Sequence, residues 1–75
     1  MTTSLGKMKA GQEGVVTKVN GAGNLRYRLL DMGLIPKTRI KVIRFAPMGD
    51  PMEISLRGYE LTLRKADADM IEVEI

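Results

Sequence analysis

The stretch Met52–Arg64, MEISLRGYELTLR, restricts the fold of this chain more than any other. Two apolar-polar alternating runs flank Arg57-Gly58, and a glycine at a two-residue turn supplies the positive φ that a tight hairpin needs. With that turn, Leu56 faces Tyr59, Ile54 faces Leu61 and Met52 faces Leu63. The opposite face pairs Ser55 with Glu60 and Glu53 with Thr62. A slip of one residue would set apolar against polar side chains, so the register is well specified. A hairpin with one apolar face needs other elements to cover it.

Three further stretches read as strands. Glu13–Val19 alternates, with Val15, Thr17 and Val19 on one face and Val16 and Lys18 on the other. Arg39–Ala46, RIKVIRFA, puts Ile40 and Val42 on one face and Ile43 and Phe45 on the other. The apolar phase therefore slips between Val42 and Ile43, which predicts a β-bulge or a bend. Met70–Ile75 closes the sequence with Ile71, Val73 and Ile75 inward and Glu72 and Glu74 outward. Met1–Ser4 is expected to be a loose start, with Leu5, Met8 and Ala10 packing as a lead-in. Lys65–Asp69, KADAD, reads as one short helical turn, and Pro47–Pro51, PMGDP, as a rigid loop.

Leu25–Pro36 is the one segment with a clear helical period. Leu25, Leu29 and Met32 fall at i, i+4 and i+7. Asn24 is placed to act as N-cap, Gly33 as a left-handed residue past the C-terminus, and Pro36 as a stop. Such a short helix is not stable alone in water and has to be held by packing. Tyr27 and Leu30 lie opposite the Leu25/Leu29/Met32 stripe, so the helix is apolar on two sides. The second side either meets loops of the same domain or forms a contact surface for another protein.

These elements predict a mostly β fold: a small antiparallel barrel of about five strands with one short helix between strands 1 and 2. Residues 1–75 form one domain in this reading. A chain of this size buries only about 60% of the surface its unfolded form exposes, so the core is modest.

Composition removes several function classes. The chain has no Cys and no His, which excludes disulfide staples, thiolate or imidazole catalysis and soft-ligand zinc sites. The only serines, Ser4 and Ser55, have no histidine to activate them, and the chain is not expected to be an enzyme or to need a cofactor. The acidic pairs Asp67/Asp69 and Glu72/Glu74 read as solvated charges, not metal ligands. Stacking on nucleic acid wants aromatics, and Tyr27, Phe45 and Tyr59 are the whole supply. No run approaches the ~20 apolar residues of a membrane helix, and the N-terminus lacks the apolar block of a signal peptide, so a cytoplasmic protein with no direct membrane insertion is expected.

The net charge of +3 is divided unevenly. Residues 1–44 hold nine Lys/Arg against two acids, +7, and residues 45–75 hold three against seven, −4. Kept apart in space, these halves would make a dipole able to steer toward an acidic partner or to drive self-association.

RLLDMGL at Arg28–Leu34, APMGDP at Ala46–Pro51 and LTLRKADA at Leu61–Ala68, in this order and spacing, closely resemble the FeoA family, ferrous iron transport protein A. The resemblance runs from about Leu5 to Ile75. One departure is Lys37, where the family usually has a glycine after the proline. The resemblance implies an SH3-like barrel. It also implies a small cytosolic accessory of bacterial ferrous iron uptake, whose partner is the membrane transporter FeoB with its cytosolic GTP-binding domain. Regulation of that domain is one expected role and assembly of the transporter another. Family members are credited with transition-metal binding, yet this chain without His or Cys offers no good ferrous ligand set. Arg26, Tyr27, Leu30, Asp31 and Met48 are the expected partner-binding residues: the second apolar side of the helix and the tip of the PMGDP loop. Self-association through the same patch is the alternative, and a nucleic-acid-binding barrel a more distant one.

Overall fold

The computed structural model describes all 75 residues. Six antiparallel strands form one sheet: β1 (Thr2–Ser4), β2 (Glu13–Val19), β3 (Arg39–Phe45), β4 (Met52–Leu56), β5 (Tyr59–Leu63) and β6 (Ile71–Glu74). Helix α1 (Asn24–Asp31) joins β2 to β3, and the short α2 (Lys65–Ala68) joins β5 to β6. A 3-10 turn at Leu5–Lys7 follows β1. No helix is long and apolar enough to cross a membrane.

The strands lie in the order β1-β6-β2-β3-β4-β5. The β4–β5 hairpin has the register its sequence predicts, from Leu56 opposite Tyr59 to Met52 opposite Leu63. Its turn places both Arg57 (φ 49°) and Gly58 (φ 85°) in left-handed conformation. The expected bulge in β3 is present: Val42 pairs with Ile54 and Arg44 with Glu53, leaving Ile43 unpaired between them.

A second bulge was not legible. In β2, Val16 pairs with Val73 and Lys18 with Glu72, so Thr17 is the extra residue. The insertion resets the alternation, and Val16 and Val19 both point into the core instead of to opposite faces. Bulges in these two central strands increase local twist. Residues from β2, β3, β4, β5 and β6 share one apolar core around Val42, Met52, Ile54, Ile71 and Val73, which a flat sheet could not enclose.

The expected N-terminus needs correction. Thr2–Ser4 is a sixth strand, paired with Glu72–Glu74, not a loose start. Leu5 and Met8 do pack as a buried lead-in, while Ala10 is exposed. Ile75 is 38% exposed and not inward. The sheet also keeps two edges, β1 and β5, with no ladder joining them.

The fold mixes the basic and acidic halves of the sequence. Strand β6, with Glu72 and Glu74, is inserted between β1 and β2. Each ion pair joins one half to the other: Arg28 with Asp67, Arg44 with Glu53, and the Met1 ammonium with Glu74. The sequence left open whether the +7 and −4 halves stay apart, and these pairings interleave them.

Candidate functional site

Helix α1 carries four of the five predicted contact residues. Its start differs from the expectation. Gly23, at φ 62° and ψ −136°, is the N-cap, and Asn24 is already inside the helix. No side chain caps this end. The backbone angles at Gly23 suit glycine best, and that requirement takes the cap position from Asn24.

The C-terminal end follows the sequence closely. Gly33 is left-handed at φ 100°. Its N–H donates to the carbonyl of Leu30 at 3.0 Å, and the Leu34 N–H donates to that of Leu29 at 3.2 Å. This is the paired hydrogen bonding of a Schellman cap, and Leu29 and Leu34, its apolar partners, are both fully buried. The Tyr59 hydroxyl donates to the Met32 carbonyl, which fastens the helix end to the first residue of β5. The sequence gives no sign of this role for Tyr59 beyond its place at the rim of the hairpin.

Leu25, Leu29 and Met32 pack on the core as the spacing predicts, with Leu29 completely buried. The other side stays outside. Tyr27 is 63% exposed, and Arg26 and Asp31 are exposed. Leu30 is half-buried and packs partly against the core, so it belongs to both sides. Arg26 Nε also donates to the Val19 carbonyl at 3.4 Å, which steadies the helix against β2. Residues 26, 27, 30 and 31 occupy adjacent positions on one helical face.

Met48 stands on a separate element, the loop between β3 and β4, and is 92% exposed. That loop is well anchored. Asp50 Oδ1 accepts from the Lys65 N–H at 2.9 Å, satisfying a donor at the start of α2, and the Asp50–Pro51 peptide is cis. The Lys65 ammonium lies 5.8 Å from the centre of the Phe45 ring. Arg28 on α1 in turn reaches Asp67 on α2 at 4.0 Å. The Met48 loop and α1 are thus linked through α2, and Met48 does not sit on the helix face itself. Asp50 and Asp67 are structural residues that the sequence offered only as loop and surface charges.

No group of three or more acidic side chains is placed to hold a metal ion. With no imidazole or thiolate in the chain, the residues present do not fit a transition metal.

The FeoA domain model matches residues 3–75. A curated Fe(2+) transport protein A/Fe(2+) transporter FeoB fusion protein from Porphyromonas gingivalis is 37% identical over 71 residues, 95% of this chain but 8% of the fusion. This chain therefore spans less than a tenth of that relative. The FeoA-like protein of Clostridium acetobutylicum is 35% identical, with a TM-score of 0.92 over 99% of this chain and 86% of that one. Stenotrophomonas maltophilia FeoA, described as a prokaryotic SH3 domain protein and solved with zinc, superposes with a TM-score of 0.84 over 96% of this chain and 89% of that one. At 18% identity it bears on the fold alone.

Proposed function

This chain belongs to the FeoA family, and from that premise we propose that it is a non-enzymatic accessory of ferrous iron uptake that docks on the FeoB transporter. The observation that carries the reading is the outer face of α1. An aromatic ring 63% exposed on a short, well-fastened helix is a ready anchor for a partner. Arg26 and Asp31 flank it with opposite charges, and Leu30 offers the part of its side chain that the core leaves free. Met48, flexible and exposed, is a second contact point on an anchored loop. The fused relative supports FeoB as the partner, because a domain joined covalently to a transporter acts at high effective concentration beside it. The docked protein works at the cytoplasmic side, where it assembles the transporter or regulates its GTP-binding domain.

Calorimetric titration of this protein into the cytosolic GTP-binding domain of the cognate FeoB, with and without nucleotide, tests the proposal. Tyr27→Ala is expected to weaken binding by about 2 kcal/mol or more, as an aromatic anchor does, with little change in Tm. Leu30→Glu is expected to weaken it further and to lower stability, since Leu30 also packs on the core. Saturable binding that is indifferent to Tyr27→Ala would place the interface elsewhere. A dependence on nucleotide would select regulation over assembly.

A further inference from the structure

A second surface lies away from α1, on the outer side of β2, β3 and β4. A cleft of about 290 Å³ is lined there by Glu13, Arg39, Lys41, Ser55 and Arg57, together with Ile40 and Leu56. Three cations stand against one carboxylate, and none of the three cations enters an ion pair elsewhere in the molecule.

The sheet register sets their spacing. Arg39 and Lys41 are two residues apart on one face of β3, about 6.7 Å along the strand. Ile40 lies opposite Leu56 at the end of the ladder, and Arg39 and Arg57 are the next residues beyond it on the two segments. By register the three cations occupy successive positions along β3 and just past the end of β4. That pattern suits successive charges along an extended chain better than a single compact anion.

Arg57 carries a second sign of function. It is one of only two non-glycine residues with positive φ, the other being Lys37. The first position of such a hairpin turn favours Asn, Asp or Gly. An arginine is held there against its backbone preference, and its Nη2 donates to Thr38 Oγ1 at 3.4 Å, which aims the guanidinium toward β3.

The geometry points to this cleft as a docking site for an acidic peptide segment, with Arg39, Lys41 and Arg57 pairing with successive carboxylates. The site is independent of the α1 face and goes beyond the reading given above.

Fluorescence anisotropy with a labelled peptide of alternating glutamate and serine, titrated with the full chain at low ionic strength, tests it. Saturable binding is expected, weakened about tenfold by Arg39→Gln with Lys41→Gln, and weakening further as salt is raised to about 0.15 M. Arg57→Asn is expected to weaken binding about threefold while leaving Tm equal or higher, because asparagine tolerates the left-handed turn. Lys7→Gln, which removes one charge outside the cleft, is expected to leave binding unchanged. Absence of binding, or equal weakening by Lys7→Gln, overturns the proposal. Inorganic phosphate binding more tightly than the peptide, with loss in the same variants, overturns it in favour of a small-anion site.

Discussion

The β4–β5 hairpin and the β1–β6–β2 ledge are both antiparallel, yet they are specified in different ways. In the hairpin, partners lie close in sequence, and every cross-strand pair matches like with like. In the ledge, Thr2 meets Glu74 and Val19 meets Ile71, across most of the chain. The ledge matches less completely by side-chain type: Thr3 faces Val73, Val15 faces Glu74, and Thr17 has no partner. Its register depends on close fit. A Cβ on Gly14 would lie 2.4 Å from Val73 Cγ1 and 2.8 Å from the Glu74 carbonyl oxygen. Local pairing is written in chemical pattern, whereas distant pairing is written in space left empty.

The largest expected effect breaks the hairpin side of this comparison. Ile54 is fully buried between Val42 and Leu61, and Ile54→Ala is expected to cost about 2–5 kcal/mol, read by urea or thermal denaturation. The ledge should yield next. Gly14→Ala forces backbone and a buried valine apart and is expected to cost about 1–3 kcal/mol. Hydrogen exchange should show that loss concentrated in β2 and β6, with β4–β5 protection less affected. Equal loss in both regions would mean that they unfold as one unit.

The smallest effect concerns charge. The Met1 ammonium and the Thr2 hydroxyl, both hydrogen-bonded to Glu74, hold its carboxyl below the usual range. The bidentate partner Arg44, at 2.5 and 3.3 Å, does the same for Glu53 at the hairpin. A depressed folded pKa stabilises above the ordinary carboxylate value and is lost as pH falls through the folded one. Glu74→Gln and Glu53→Gln should therefore lower Tm slightly near neutrality, and each difference should close in acid. Glu74 is exposed and Glu53 half-buried, so added salt should shrink the differences too, more at Glu74.

Much of the fold was legible because its signals are local. The hairpin register, the β3 bulge, the helical turn at Lys65–Ala68 and the glycine-terminated end of α1 all follow from neighbouring residues. The helix start was misplaced by one residue because a glycine conformation replaced side-chain capping. Thr2–Ser4 as a strand was missed because its partner is at the other end of the sequence. The second apolar side of α1 was legible from helical spacing, which left open whether it meets loops of the domain; the structure leaves Tyr27 exposed. Lys37 was noted as a departure, and its φ of 74° keeps the left-handed turn that a glycine would favour. The basic strip was not legible, since Arg39, Lys41 and Arg57 come together only through the β3–β4 register and the turn beyond it.

The sequence by itself determined the central helix, the pairing of the hairpin and the lack of any imidazole or thiolate. Those properties depend on residue identity and on contacts within a few positions, where the entropy of closing the chain is small. Only the tertiary structure decided that the acidic C-terminal strand lies between two strands from the N-terminal half of the sequence. It also decided which cations stay unpaired beside a cleft and that Tyr59 and Asp50 fasten two helices. Such outcomes depend on how distant segments share one small core, and no short stretch of sequence carries that information.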